Sequence, residues 1–398
     1  MNLPRIDLVY ERQWSSLNNL VSTLIELDRM GRLYGGFPRF RYERAGIPSK
    51  LIRTFPVAAL WNLATGKLGL PKRIRLDEPQ MIGNWVARQA DLSPIVMANG
   101  TAYRFLFPKL AGTGRALILE RGSMHPEDYF LLPQRARAEA GYPHCEKLPA
   151  SIRDEIAKTE LAHFIIAGSE MVRESYVKRG FPADRVFTCH YGVDTTRLAF
   201  IRRDTPANRP LRVAAIGVIG FRKGLYRLLR LGEWAKRRQI PLEIWFAGPV
   251  ENPEAHEMLS RSGANIRLLG VLRGQAFRDF LAQCDLCAVL SYEEGLPFAL
   301  LESMSTGLPA IVSTDTGACE VPIDQVHGIQ LTHFTDDEFD AKLRGLFSDP
   351  SALPVMGRLA RQRIEDAFTT ARYSRDIAAV LGIIADRADG KRSTFATG

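Results

Sequence analysis

The stretch LCAVLSYEEGLPFALLESMSTGLPAIVST, Leu286–Thr314, decides how this chain folds. LCAVLS (Leu286–Ser291) is a short apolar run with the length of a buried strand. PFALLESMSTG (Pro297–Gly307) has a proline near its start and a glycine after its end, the order that helix termini favour. PAIVST (Pro309–Thr314) is again a strand. Strand, helix and strand in succession form the unit from which parallel sheets with helices on both faces are built.

The same alternation continues outward. RVAAIGV (Arg212–Val218) predicts a strand. LYRLLRLGEWAKR predicts a helix with Leu225, Leu228 and Leu229 on one face and basic residues at its end. LEIWFAG (Leu242–Gly248) and IRLLG (Ile266–Gly270) predict strands, and GQAFRDFLAQ (Gly274–Gln283) a helix. The first half repeats the pattern more loosely. IDLVYE (Ile6–Glu11), PIVMANG (Pro94–Gly100), ALILERGS (Ala116–Ser123) and FIIAGS (Phe164–Ser169) are apolar runs ending in small or polar residues. An amphipathic stretch covers Ser16–Met30. Phe37–Asp77 is basic, dotted with aromatics and without a clear period.

A chain of 398 residues is too long for one ordinary core. The polar, proline-bearing AFIRRDTPANRP (Ala199–Pro210) reads as a linker. The expected fold class is therefore α/β, with two Rossmann-like domains at residues 1–200 and 201–367. A final amphipathic helix is expected over 368–390, and KRSTFATG reads as a frayed tail.

Composition excludes several classes. No apolar run reaches the roughly 18 residues of a membrane-spanning helix. Met1–Tyr10 lacks the long apolar segment of a secretory signal, so a cytoplasmic protein is expected. Five cysteines are no disulfide framework in this length. Cys284 and Cys287 form a C-x-x-C but read as core residues. The net charge of +9 is uneven: residues 1–75 hold thirteen Lys/Arg and five Asp/Glu. Such a region attracts phospholipid surfaces, phosphorylated acceptors or nucleic acid. No nucleic-acid reading motif accompanies it, so nucleic acid is not an expected partner.

The chemistry concentrates in Glu293–Ser313. Glu294 stands in the loop before a helix, and Glu302 follows eight positions later, about two turns into that helix by this spacing. Two carboxylates so placed can grip hydroxyls of two different sugars. Between them, the amides of Gly295–Phe298 open a helix N-terminus, which favours negative charge. A second signal is GFRKG, Gly220–Gly224, between a strand and a helix. Arg222 and Lys223 put two fixed cations in this loop, and cations already aimed at a group that develops negative charge lower a barrier. The chain has no D-x-D and no His/Cys/Asp cluster with metal-ligand spacing.

At this point the resemblance is to glycosyltransferases of the family 4 type, the bacterial group 1 enzymes, whose E-x(7)-E signature EGLPFALLES–M–GLP is similar to. It covers about residues 85–385. It implies a GT-B fold: two Rossmann-like domains facing a cleft, with a C-terminal helix crossing back to the first. It implies a metal-independent, retaining hexosyltransferase without a cofactor, using a nucleotide-diphosphate sugar as co-substrate. Carried over by position, Glu294 meets the transferred sugar and Glu302 the ribose. The loop of Gly295, Leu296 and Phe298 lies near the sugar and diphosphate; Pro297 has no N–H to give. Arg222 and Lys223 bind the diphosphate. Leu272 and Arg273, in LLGVLRG, lie where the base is held.

In the first half, ERGSMHP (Glu120–Pro126) resembles a cleft-facing segment of bacterial members. His125 is its candidate for sugar contact or general base, and Arg121 its candidate for an anionic acceptor. SEMVRESYVKRGFPADRVFTCHYGVD (Ser169–Asp194) resembles the stretch leading to the linker, where Gly192 and Asp194 shape a turn. The glycine-rich loop of many members is missing; Arg12, Gln13, Trp14, Ser15 and Ser16 stand there. The expected acceptor is a glycan or a lipid-linked molecule, met at an anionic, cytoplasmic membrane face. The rival readings are a nucleotide-sugar epimerase or phosphorylase on the same architecture, or a catalytically silent nucleotide-sugar-binding scaffold.

Overall fold

The computed structural model describes residues 4–11, 17–205 and 209–390. The segment Arg12–Ser16, the tail after Gly390 and part of the expected linker lie outside the described residues. The first sheet has strands β1 Ile6–Tyr10, β2 Met30–Gly35, β3 Ile52–Thr54, β4 Ile95–Asn99, β5 Ala116–Arg121, β6 Phe164–Ala167 and β7 Val186–Thr188. The second has β8 Leu211–Ile216, β9 Leu242–Ala247, β10 Ile266–Leu268, β11 Leu286–Val289, β12 Ala310–Ser313 and β13 Gly328–Leu331. Their orders are β3-β2-β1-β4-β5-β6-β7 and β10-β9-β8-β11-β12-β13, and every pair is parallel.

Parallel strands are covered on both faces, so they read as unbroken apolar runs. β1, β4 and β6 are buried along their whole length. Strand order reverses beside β1 in one sheet and beside β8 in the other. Ligands of such sheets bind beyond the carboxyl ends at that switch point. The helix Leu225–Arg237 buries Leu225, Leu228, Leu229 and Leu231 and carries Lys236 and Arg237 in its last turn. The cysteines of the C-x-x-C are free and buried, and burial pushes both thiols up to about 12.

Four strands, β2, β3, β7 and β13, escape the apolar pattern. β2 needs a gap at Gly31, where a Cβ would fall 2.2 Å from Asp7 Oδ1. β3 is three residues long. β13 needs Gly328, where a Cβ would fall 1.9 Å from the Ala310 carbonyl oxygen. Glycine at a close approach marks β2 and β13, and β3 and β7 are too short to show a period.

The last helix, Thr370–Gly390, packs on the first-domain helix Leu17–Glu26, with Ile377, Leu381 and Ile384 buried. The crossing is tight: Val193 bridges to Thr369, and a Cβ on Gly192 would lie 2.1 Å from the Thr369 carbonyl oxygen. Asp194 closes its turn by accepting from the Thr196 amide at 2.9 Å and hydroxyl at 2.6 Å. The two domains also clasp each other directly. Arg137 donates to both oxygens of Glu254 at 2.6 and 2.7 Å. Glu320 accepts from the amides of Glu170 and Met171 at 2.9 and 2.8 Å and meets His190 Nε2 at 2.7 Å. Charged hydrogen bonds of this kind are stronger than neutral ones and fix the domains in register. Among the described residues, no helix is long and apolar enough to cross a membrane.

Candidate active site

Two loops of the second domain lie against each other. Gly224 ends the first with φ 76°, and a Cβ there would fall 1.9 Å from the Leu290 carbonyl oxygen. Only glycine tolerates that conformation and that approach. The Tyr292 amide then donates to the Arg222 carbonyl at 2.9 Å. This pairing sets Arg222 and Lys223 beside Glu293 and Glu294. Lys223 Nζ donates to Glu294 Oε1. Arg222 Nη1 donates to Glu293 Oε2 at 2.9 Å and lies 3.9 Å from Glu294.

Glu293 was not singled out by its spacing, yet it joins the domains. Its side chain is fully buried, and Oε1 accepts from the first domain's Met124 amide at 3.0 Å. Arg227, also unread in the sequence, supports the same loop from below. It is 3% exposed, stacks between Tyr292 and Phe334 at 3.7 and 4.0 Å and donates to the Ser291 carbonyl and to Asp315. The signal that could have found them was charge in an otherwise apolar string: a second Glu before Glu294, and an Arg on the leucine face of a helix.

A cavity opens between the loops, with Gly217, Gly220, Lys223, Glu294, Pro297 and Ala299 in its lining. Pro297 caps the helix Phe298–Ser305; the Leu300 amide donates to the Pro297 carbonyl at 3.0 Å, and the Phe298 and Ala299 amides before it have no intrahelical carbonyl to meet. Positive dipole end and ammonium thus face one small volume, with the Arg222 guanidinium beside it on Glu293. Burial and the adjacent Arg222 push the Lys223 ammonium down to about 7, with Glu293 opposing. Its contact with Glu294 also favours the charged form, and an incoming anion would favour it further.

Glu302 sits in the fifth position of its helix, just over one turn in. The expected two turns counted from Glu294, but the loop through Pro297 is not helical. The Glu302 carboxyl is half-buried, and burial raises its pKa against the pull of Arg197. No side-chain hydrogen bond reaches it from the described residues.

The other expected site residues scatter. A Cβ on Gly295 would fall 2.1 Å from the Gly122 carbonyl oxygen, so this glycine lets the two domains touch. Leu296 is buried in the core. Phe298 stacks on Tyr191 with centroids 5.2 Å apart. Leu272 is partly buried and Arg273 exposed on the loop after β10; neither lines the cavity beside Lys223.

His125 and Arg121 are not brought onto Glu294. The His125 ring caps the helix Pro126–Glu139, accepting from the Glu127 amide at 3.3 Å. It packs edge-on against Tyr176 at 5.3 Å and lines a separate first-domain cavity with Arg179. Burial, then Arg179, push its pKa down to about 4. Arg121 turns inward, 3.8 Å from Glu155 and over the Tyr103 ring. A cap and a buried ion pair leave little trace in the sequence, whose reading of these two residues rested on the resemblance of ERGSMHP to a cleft-facing segment.

Instead, the carboxyl end of β5 carries Glu120 in a sealed network. It accepts from Tyr10, from Asn99 at 3.1 Å and from Tyr373 of the last helix at 3.3 Å. Burial raises its pKa in spite of these donors. No group of three His, Cys, Asp or Glu suited to a metal occurs among the described residues.

Comparison with known proteins agrees with this architecture. Residues 211–349 match the family described as "Glycosyl transferases group 1". The chain is 26% identical over 229 residues to the putative colanic acid biosynthesis glycosyltransferase WcaL of Escherichia coli (strain K12), covering 51% of this chain and 52% of that protein. It is 23% identical over 229 residues to the amylovoran biosynthesis glycosyltransferase AmsK of Erwinia amylovora, covering 54% of each. The chain thus spans about half the length of the curated relatives it matches. Among solved structures, Anabaena Alr3699/HepE in complex with UDP-glucose superposes with a TM-score of 0.68 at 16% identity, over 95% of this chain and 99% of that one. The fold is that of the GT-B glycosyltransferases, two parallel-sheet Rossmann-like domains.

Proposed function

We propose that this chain is a retaining, metal-independent hexosyltransferase of the family 4 type. It moves a sugar from a nucleotide-diphosphate donor to a glycan or lipid-linked acceptor in the synthesis of a surface polysaccharide or glycolipid. The observation that carries the reading is the convergence of Lys223, Glu294 and a helix N-terminus on one cavity at the switch point of the second sheet, with Arg222 3.9 Å from Glu294 beside it. The relatives' names, which print colanic acid and amylovoran biosynthesis, support a glycan acceptor.

In this reading the diphosphate lies against Lys223, Arg222 and the first turn of the helix Phe298–Ser305. Charge developing on the departing diphosphate meets donors that are already oriented, which is where such donors lower a barrier most. Glu294 accepts from hydroxyls of the transferred sugar, and Glu302 from the ribose. The acceptor oxygen forms its bond to the anomeric carbon on the face from which the diphosphate leaves. The carbon–oxygen bond to phosphate breaks, and the acceptor proton passes to the departing phosphate oxygen. Glu293 positions Arg222 and, through the Met124 amide, ties that cation to the closed arrangement of the domains.

The test has three readouts. Anomeric NMR of the product from an α-linked donor should show an α-linkage; a β-linkage would exclude retention. Chelator should leave the rate unchanged. Neither epimer nor sugar phosphate should accumulate in place of glycoside.

A further inference from the structure

The segment between β3 and the helix Glu78–Val86 is unlike the rest of the surface. The helix Val57–Lys67 is apolar nearly all round, yet only Ala58 and Thr65 of it are buried. Val57, Leu60, Trp61, Leu63, Leu68 and Leu70 are exposed, Leu68 to 73%. A helix of this composition is normally enclosed in a core, and a cluster of large apolar side chains in water marks a binding surface. The segment is not loose. Trp61 Nε1 donates to the Ile74 carbonyl at 2.8 Å. Asn62 donates to the Leu76 carbonyl at 2.9 Å and accepts from the Leu76 amide at 2.8 Å. The helix and the returning segment, which contains the short 3-10 turn Lys72–Ile74, are thus stapled into one apolar hairpin.

Charge identifies the occupant. Between Phe37 and Leu76 the sequence has nine Lys/Arg and one acid, Glu43. Arg39, Arg41, Arg44, Arg53, Arg73 and Arg75 are exposed, and none of them is in an ion pair among the described residues. Apolar side chains with a tryptophan among them, flanked by uncompensated cations, match the two layers of an anionic bilayer: acyl boundary and headgroups. Position agrees. The hairpin follows the carboxyl end of β3, the edge strand of the first sheet, and parallel sheets bind their ligands at that end.

We infer that the hairpin Val57–Leu76 docks the chain on an anionic lipid surface, Val57, Leu60, Trp61, Leu63 and Leu68 entering the headgroup boundary and the flanking arginines meeting lipid phosphates. This deepens the proposed function, since it would bring the first-domain side of the cleft to a lipid-linked acceptor and so rests on that reading for its purpose. The binding itself does not require catalysis.

The experiment uses the full chain with phosphatidylcholine vesicles, with and without phosphatidylserine, at low and high salt. Co-sedimentation should require phosphatidylserine and fall steeply with salt. The exposed-site variant Leu63→Glu/Leu68→Glu should lower the partition coefficient at least about tenfold, and Arg73→Glu/Arg75→Glu by a comparable factor. Trp61→Phe should remove a blue shift of tryptophan emission on vesicle addition. Nucleoside-diphosphate binding, measured on the same variants, should be unchanged; its absence from wild type would sink the transferase reading and leave the vesicle result standing. The inference is overturned if wild type ignores anionic vesicles at low salt, or if the leucine variant binds them as well as wild type. It is equally overturned if the patch proves to be a dimer contact, with wild type dimeric and the leucine variant monomeric, or binds single-stranded RNA in preference to vesicles.

Discussion

Each domain places a glutamate at or beyond the carboxyl end of a central strand, Glu120 as the next-to-last residue of β5 and Glu294 in the loop after β11, and the two could hardly be treated more differently. In the second domain, Glu294 lies beside a cavity, held by Lys223 with Arg222 nearby. In the first, Glu120 is sealed under Tyr10 and Tyr373. One carboxylate is kept where a ligand can reach it, the other serves as a rivet between the first sheet and the last helix. Position in the fold therefore does not assign function; the partners do.

The largest expected effect breaks the comparison at the second domain. Lys223→Met should lower kcat by about 10²–10³, the usual cost of removing one oriented donor, and steady-state transfer assays would read it. A loss below tenfold would mean Lys223 is structural. In the first domain, Glu120→Ala should cost about 3 kcal/mol of stability, because three hydrogen-bond donors lose their buried acceptor. Denaturant unfolding checks this, and nucleotide affinity should not move. An altered affinity would show that the rivet reaches the site.

Two pH dependences sharpen the contrast. His125 is held down to about 4 against an ordinary 6.5. The unfolded chain takes up the proton first, so wild type should lose stability as pH falls from about 6.5 to 4, by roughly 3 kcal/mol at most. His125→Asn keeps a good helix cap and should flatten that slope in unfolding curves taken across the range. For Lys223, lowered to about 7 among Arg222, Glu293 and Glu294, diphosphate binding requires the ammonium. Affinity should therefore fall as pH rises above about 7, approaching tenfold per unit, and Lys223→Arg should remove the fall. Calorimetry at several pH values, with the proton uptake measured, decides it.

The same comparison explains what could be read from the sequence. The helix Phe298–Ser305, the loop Gly220–Gly224 and the strands on either side are local in sequence, and their apolar periods and glycines announced them. Glu294 with Glu302, and Arg222 with Lys223, are close-spaced pairs. The first-domain site is built from distant pieces: Glu120 meets Tyr10 and Tyr373 across 110 and 253 residues. No spacing rule reaches that far. Nor did one reach Glu293, whose first-domain partner Met124 is 169 residues away. His125 was a candidate because ERGSMHP resembles a cleft-facing segment of bacterial members; in the structure its ring accepts from the Glu127 amide and packs on Tyr176. β2 and β13 were missed because glycines at close approaches, Gly31 to the Asp7 carboxylate and Gly328 to the Ala310 backbone, shorten their apolar runs.

The most direct test of the account is thermal-shift screening with UDP, GDP, ADP, dTDP and CMP and their sugars, on wild type and on Glu302→Ala. A nucleotide at about 100 times its dissociation constant should add about 2.7 kcal/mol of stability. The account predicts that one nucleoside diphosphate and its sugar stabilise wild type selectively, and that the variant loses the shift. No shift with any of them at millimolar concentration, or a shift that survives in the variant, would contradict it.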